Sequence, residues 1–315
     1  MRVRLHSVFA LIAALSFSVA AGGCGHSKAA ATAANEAEKP KPKNAHTIAL
    51  QVVQGKVGTM IEVDRVRDRP AATKLLHAGL AGDALEGTGI DLLRDAKRVF
   101  IASTGIKRTD AAVAVVWHRL SEDNVRLALD VLVRQGNPPG AWIDDAGIPA
   151  ARVTVRGHTR VIGMIAPEYV AIVPVSLAKE LRRFAGTGGL PEPEGTESAV
   201  TTAEEPATSL RAPRMPHVPA TIKLARLRVT LGLDGSADLA GDGECATAEQ
   251  AVADAKAMAE EVENATTVRV SILRVRVFKP IPFRAEGTHV KSDLHLSPEE
   301  IDKLIGMAQL VGGQL

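Results

Sequence analysis

The stretch Leu224-Ala-Arg-Leu-Arg-Val-Thr-Leu-Gly-Leu233, followed by Asp234-Gly235, contains the clearest strand signal in the chain. Its apolar side chains recur at every second position over most of the stretch, which predicts a half-buried β-strand. Aspartate followed by glycine is a frequent hairpin turn, so a second strand should return beside the first. The predicted apolar side holds Leu227, Val229, Leu231 and Leu233, and the charged side holds Arg226 and Arg228.

The residues that follow predict two helices and a second hairpin. The first helix opens at a capping box, and the last has a serine cap with proline at its first position. Residues 268–277 stay ambiguous, because their β-branched content favours a strand while their spacing also fits a helical face. The first helix is opened by Thr247 and Gln250, and its predicted inward residues are Ala251, Val252, Ala255, Met258, Ala259 and Val262. The second hairpin consists of strands 283–285 and 289–296 around Glu286-Gly287. The last helix is opened by Ser297, and its predicted inward residues are Ile301, Leu304, Ile305 and Ala308.

An earlier part of the chain shows a similar order of elements. It predicts strands at 111–117, 152–155, 159–166 and 169–173, a helix capped by Ser121 with Val125, Leu129 and Leu132 inward, and a helix opened by Ser176 with Leu177, Leu181 and Phe184 inward. Strands at 57–63 and 99–102 and a helix near 71–80 would be additions. Both parts thus run strand, strand, helix, strand, strand, helix. We therefore predict an α+β fold of two antiparallel-sheet modules that arose by divergent duplication.

The N-terminal residues have the layout of a secretory signal. Arg2 and Arg4 precede an apolar stretch over 8–21, and small residues lead to Cys24. The apolar part is too short to cross a bilayer, which needs about 20 apolar residues. Ala21-Gly22-Gly23-Cys24 resembles the lipobox of bacterial lipoproteins, although the first of these positions is more often leucine. An ordinary signal cleavage site is the alternative.

The lipobox resemblance implies cleavage before Cys24 and acylation of its sulfur and its new amino group. Several acyl chains would hold the protein on a membrane, since a single chain gives only marginal binding. In that family an aspartate after the cysteine favours inner-membrane retention, so Gly25 implies an outer-membrane lipoprotein on the periplasmic or surface face. The chain as a whole resembles uncharacterised bacterial lipoproteins with a low-complexity tether and repeated α+β modules.

Composition predicts the domain boundaries. Residues 24–46 and 187–219 are rich in proline and charge and lack apolar periodicity, so we expect a disordered tether and an interdomain linker. The predicted division is a signal peptide at 1–23, the lipidated cysteine and tether at 24–46, a first α+β domain at 47–186, the linker at 187–219 and a second α+β domain at 220–315.

Charge and aromatic content bear on the partners. The formal net charge of +2 gives no reason to expect nucleic acid as a partner. Only 3% of the residues are aromatic, so few rings are present on which nucleic-acid bases could stack. We expect a membrane partner through the lipid anchor and a protein or glycan partner in the envelope. Cys245 has no partner within the chain if Cys24 is acylated, so it is either a buried residue or a thiol that pairs with another chain.

Two patterns could hold a cation. Asp238-Leu-Ala-Gly-Asp242-Gly243 with Glu249 resembles an EF-hand calcium loop, but Ala240 replaces one oxygen ligand. We therefore favour a polar hairpin end followed by a capped helix. On strand 289–296, alternation places His289, Lys291, Asp293 and His295 on one side, with Asp293 and His295 close enough to share a metal. A solvated strand face is the favoured interpretation, and we expect neither cofactor nor metal.

Four arginines, Arg226, Arg228, Arg274 and Arg276, could line a basic sheet face that meets anionic headgroups or polysaccharide, or that pairs with acids of the chain itself. Motifs for a nucleophile elbow, a P-loop, a zincin site or a dinucleotide fold are absent from the sequence, and His118 beside Trp117 is expected to be a core or edge histidine. The hypothesis is a non-catalytic, lipid-anchored envelope protein with a binding or assembly role. The alternative is a periplasmic, hydrolase-like enzyme with its site between the two domains.

Overall fold

A computed structural model describes residues 44–79, 85–106, 109–155, 157–211, 216–270, 273–276 and 279–312 of the 315-residue chain. Its strands are β1 Val57–Glu62, β2 Ala96–Ser103, β3 Val113–His118, β4 Ala141–Ile143, β5 Ala150–Val155, β6 His158–Ala166, β7 Tyr169–Pro174, β8 Ala199–Glu204, β9 Leu224–Leu231, β10 Ala237–Glu244, β11 Thr267–Val270, β12 Leu273–Arg276, β13 Arg284–Glu286 and β14 His289–Leu296. The helices are α1 Ala45–Val53, α2 Val63–Val66, α3 Pro70–Gly79, α4 Leu92–Asp95, α5 Glu122–Gln135, α6 Pro206–Ser209, α7 Ala248–Thr266 and α8 Pro298–Gly312, together with 3₁₀ helices Thr109–Ala111 and Val175–Phe184.

Twelve of the strands form one antiparallel sheet in the order β13-β14-β10-β9-β8-β1-β2-β3-β7-β6-β5-β4. β11 and β12 pair separately as a two-stranded sheet, which places residues 267–270 and 273–276 in strands, while residues 271, 272 and 277 of the ambiguous region lie outside the described residues. The predicted α+β class with antiparallel pairing is therefore confirmed. The prediction of two separate sheets is wrong, because β1 and β8 pair directly and join both halves into a single sheet.

The segment predicted as an interdomain linker, 187–219, contributes β8 to the middle of this sheet. Thr201 and Ala203 of that strand are buried. The prolines that suggested a linker flank the strand, at Pro193 before it and Pro206 after it. Proline removes a donor only at its own position, so it can border a central strand without preventing its pairing.

The two halves share a strand order. β2-β3-β7-β6 lie side by side on one flank of the β1–β8 pair, and β9-β10-β14-β13 lie in the corresponding order on the other flank. In each half a helix connects the second strand to the return hairpin, α5 in one and α7 in the other. The two halves are therefore alike in the order of their strands and in the position of one helix.

Helices cover the sheet unequally. α1 and the 3₁₀ helix Val175–Phe184 pack on one side, where Ile48, Leu181 and Phe184 are buried against Phe100 and Val115. We call this side the α1 face. On the opposite face, residues of α2, α3, α7 and α8 bury the apolar side of β9, β10 and β14 in a core that contains Leu227, Leu239, Leu294, Val262 and Ile301. α5 covers β5 on that same face.

Local signals fixed several element ends. Ser121 Oγ accepts a hydrogen bond from Asn124 N, and Thr247 Oγ1 accepts one from Gln250 N, as the caps predict. Ser176 is not a cap, since the 3₁₀ helix begins at Val175. The predicted strand 224–233 ends at Leu231 because the turn begins at Gly232, which leaves Leu233 exposed rather than inward. Val252, also predicted inward, is exposed on α7.

The last two residues of the predicted tether are helical in the structure. α1 begins at Ala45, so the predicted tether 24–46 overlaps the first helix by two residues. The predicted signal peptide and Cys24 lie outside the described residues. Among the helices of the described residues, none has both the length and the apolar character needed to cross a bilayer.

Candidate binding site

A single row of paired residues across the α1 face changes its chemistry halfway along the sheet. From β3 to β14 the row runs Val115, Phe100, Met60, Val200, Arg228, Ala240 and Asp293. Directly paired residues point to the same side of a sheet. Along this row the α1 face is therefore apolar from β3 to β8, where α1 covers much of it, and largely polar from β9 to β14.

Acidic side chains pair with arginine, lysine or histidine throughout the polar half of this face. Four contacts link neighbouring strands and a fifth lies within β13, as expected for side chains that share a solvated surface. They are Asp242 with His289 at 2.6 Å, Asp238 with His295 at 2.8 Å, Arg284 with Asp293 at 2.7 Å, Arg284 with Glu286 at 2.8 Å and Lys291 with Glu286 at 2.7 Å. The hydrogen bonds that Arg284 donates to Glu286 and Asp293 raise the pKa of Arg284, and those that Glu286 accepts from Lys291 and Arg284 lower the pKa of Glu286.

A cavity of about 310 Å³ lies where the two halves of the α1 face meet. Its floor is apolar, and charged residues surround the opening, an arrangement common to small-molecule sites. The floor includes Leu50, Gly58, Met60, Phe100 and Val200, and the rest of the lining includes His46 and the charged residues Lys56, Glu192, Glu194, Glu197, Glu204, Arg226 and Arg228. A second groove of about 290 Å³ continues from Arg228 towards Asp293.

Residues 190–197, which we call the strap, form one wall of the cavity. Two arginines from other elements hold the strap by its backbone. Arg98 Nη1 donates to Leu190 O at 3.3 Å, and Arg65 Nη1 donates to Gly195 O at 2.6 Å and to Glu197 O at 2.9 Å. Because both ends are tied, the strap has a defined position beside β8 and β9.

The strap places a carboxylate on one of the cavity arginines. Glu194 Oε1 lies 3.2 Å from Arg226 Nη1, and the two side chains are 72% and 39% exposed. An exposed ion pair of this kind contributes only about 0–1 kcal/mol to stability. The contact is therefore easily exchanged for another anion.

The predicted calcium-like loop does not exist as a loop. Asp238 and Asp242 lie in β10, and Glu249 lies in the first turn of α7, so these acids cannot converge as EF-hand ligands do. The two aspartates instead contact His295 and His289 on the neighbouring strand. The predicted hairpin end is instead an internal strand of the sheet.

The residues of the other predicted metal site contact different partners. His289, Lys291, Asp293 and His295 do share the polar face, but Asp293 contacts Arg284 while His295 contacts Asp238. Within the described residues, no group of three or more histidine, cysteine or acidic side chains could hold a metal ion.

Neither of the two other candidates for chemistry is poised to react. Cys245 is buried, with Sγ 3.4 Å from Asp254 Oδ2, and burial together with this carboxylate raises the pKa of the thiol to about 12. His118 is also buried, and desolvation lowers its pKa. The prediction that His118 belongs to the core is thus confirmed, as is burial of Cys245.

Arg226 and Arg228 were predicted as candidates from the sequence, but their neighbours in the structure were not. The predicted companions Arg274 and Arg276 lie in the separate β11–β12 hairpin, so they do not extend the row of Arg226 and Arg228. Glu194 was assigned to the linker, and its neighbours Pro191 and Pro193 were the only signal that this segment is extended. Nothing in the local sequence indicates that Arg65 and Arg98 hold it in place.

Comparisons with known proteins show no family for this chain. No family model matches the chain, and no curated protein matches it. A solved structure, crystal form I of TP0453, is similar with a TM-score of 0.49 and 11% sequence identity over 86% of this chain and 100% of that chain.

Proposed function

We propose that this chain is a lipid-anchored cell-envelope protein with a non-catalytic binding or assembly role. Cys24 would carry the anchor, in the outer membrane, with the folded part on the periplasmic or surface face. The partner would be a protein or a glycan of the envelope rather than nucleic acid. The lipobox-like residues 21–24 support the anchor, and they carry no information about the partner.

The observation that carries the binding role is the change of chemistry along the α1 face. The paired row passes from buried Met60 through Val200 to Arg228, and the strap stands beside this boundary. A cavity with an apolar floor and a charged rim follows directly from that change. Such a surface suits recognition, since apolar contact supplies affinity and placed charges supply specificity.

The state of the reactive side chains favours binding over catalysis. A nucleophilic cysteine needs a lowered pKa, whereas the pKa of Cys245 is raised to about 12. Neither Cys245 nor His118 lines the cavity. The alternative of a hydrolase-like enzyme therefore gains no support from these two residues.

The matching strand orders β2-β3-β7-β6 and β9-β10-β14-β13 also support an origin by divergent duplication. In this proposal the ancestral unit supplied both flanks of the β1–β8 pair. One copy kept the α1 face apolar and covered, and the other became polar and accessible, which created the binding surface.

Site-specific photocrosslinking in the envelope tests the binding role. A photoreactive residue at Asp293, which is 57% exposed on the polar half of the α1 face, should give discrete crosslinked species. The same residue at Lys256, 81% exposed on α7 on the far side of the sheet, is the matched control. Equal crosslinking from both positions, or crosslinking from Lys256 alone, would contradict a binding role for this face.

A further inference from the structure

We propose that the cavity binds a single-chain anionic amphiphile, with the ligand carboxylate on Arg226 and the apolar chain over Val200, Met60 and Phe100. This inference rests on the proposed binding function and names its ligand class. It follows from three properties of the cavity: its floor, the internal carboxylate at its rim, and its size.

The floor is built to accept an apolar group. Met60 and Phe100 are buried, and Val200 is packed at the edge of the same core. Gly58 keeps the floor open, because a Cβ at this position would lie 3.0 Å from the Phe100 ring. An apolar chain on this floor would cover Val200, the partly buried edge of this core.

The rim already holds an anion. Glu194 of the strap contacts Arg226 in the exposed pair described above, so a carboxylate of the chain itself occupies the position that we assign to the ligand carboxylate. Arg226 lies beside the floor because it pairs with Thr202, which in turn pairs with Gly58. A ligand carboxylate would thus replace Glu194 while its chain enters over Thr202 and Val200.

Two other acids of the cavity have partners of their own. Glu197 Oε2 accepts a hydrogen bond from Gly195 N at 2.7 Å, and Glu192 lies 3.9 Å from Arg98, whose side chain is only 9% exposed. Arg226 is 39% exposed and lines the cavity, and its carboxylate partner Glu194 is carried by the strap. Arg226 is therefore the exchangeable position, since a ligand can reach it from solvent.

The size of the cavity limits the ligand. A volume of about 310 Å³ corresponds to roughly ten water molecules at about 30 Å³ each. Octanoate has a comparable number of non-hydrogen atoms, so it is the appropriate probe. Octylammonium has the same chain with the opposite charge, 1-octanol has the same chain without charge, and acetate has the same charge without the chain.

Calorimetric titration of the purified protein with these four probes tests the ligand class. We expect octanoate to bind at least tenfold more tightly than octylammonium or 1-octanol, and acetate not to bind measurably. Tighter binding of octylammonium, equal binding of all three octyl compounds, or equal binding of acetate and octanoate would each overturn the proposal.

Single substitutions test where octanoate binds. Arg226→Gln should weaken octanoate binding about tenfold or more, the loss expected when a hydrogen bond between charged groups is removed. Arg126→Gln, on α5 on the opposite face of the sheet, removes the same charge from an exposed pair with Glu122 and should leave the affinity unchanged. Glu194→Gln should raise the affinity up to about fivefold, because it releases Arg226 from a weak surface pair. Thr202→Phe should block the chain without removing a charge.

The results separate this inference from the proposed function. If octanoate does not bind, or if Arg226→Gln and Arg126→Gln weaken it equally while thermal unfolding of both variants matches that of the wild type, the ligand assignment is wrong. Crosslinking from Asp293 would still support a binding role in that case. Loss of crosslinking from Asp293 would instead count against the proposed function itself.

Discussion

Arg98 Nε donates to Glu62 Oε2 at 2.7 Å across the β1–β2 pair, and each side chain is only 9% exposed. The same guanidinium also donates to Leu190 O at the start of the strap. Arg98 therefore connects a buried ion pair within the sheet to the wall of the cavity. A buried charge is tolerated only when it is paired, so both partners depend on this contact.

Removal of one member of this pair should destabilise the fold severely. Arg98→Met would leave Glu62 buried without its countercharge, and we expect a loss of about 3–5 kcal/mol in the free energy of unfolding. The double variant Arg98→Met with Glu62→Leu should recover much of that loss. Urea denaturation measures both, and equal losses in the single and double variants would contradict the assignment.

The buried thiol should make stability depend on alkaline pH. The pKa of Cys245 is raised from 9.0 to about 12 in the folded protein, so folding favours the neutral thiol. Its contribution is complete below pH 9 and declines as pH rises from 9 towards 12. In Cys245→Ala the unfolding free energy should fall less steeply over this range than in the wild type. Identical slopes in urea melts of the two proteins would refute this.

The capping box of α8 should contribute a measurable part of stability. Ser297 Oγ accepts from Glu300 N at 3.3 Å, and Glu300 Oε2 accepts from Ser297 N at 2.9 Å. Ser297→Ala should lower the free energy of unfolding by about 1 kcal/mol. Ser176→Ala, at an exposed serine that does not cap its helix, is the control and should change stability far less. Comparable losses in chemical denaturation would argue against the cap.

Calcium should not stabilise this protein through Asp238, Asp242 and Glu249. A genuine site would add about 2.7 kcal/mol when calcium is at a hundred times its dissociation constant. That increase would raise the melting temperature by several degrees, whereas we expect less than about one degree on adding millimolar calcium. Calorimetry of the wild type and Asp242→Ala decides the point, since a larger shift that disappears in the variant would reveal a site.

If Cys24 carries the lipid anchor, substitution of this residue should remove fatty-acid labelling. Cys24→Ser should abolish incorporation of a radioactive fatty acid in a host that processes lipoproteins, because the acylated sulfur is gone. Cys245→Ser is the matched control, since that thiol is buried and should not be acylated. Equal labelling of wild type and Cys24→Ser would contradict the lipobox assignment.

Local elements could be predicted from the sequence where the cause is itself local. The hairpin at Asp234-Gly235 formed as expected, with Gly235 at a φ of 90° that glycine adopts readily. The cap at Thr247 also follows from its neighbours alone. β8 was missed because its signal, residues 199–204, is short and lies between prolines that dominate the composition of that segment.

The sequence by itself determined the alternation of Leu227 and Arg228, the turn after Leu231 and the helices that Ser121 and Ser297 begin, since each depends on residues a few positions apart. Only the tertiary structure decided that β8 joins the two halves and that Glu194 lies on Arg226. Those contacts link residues 20 or more positions apart, and their geometry depends on strand pairing over the whole sheet. Local propensity carries no information about which distant strand a segment will pair with, so the cavity could not be predicted before the fold was known.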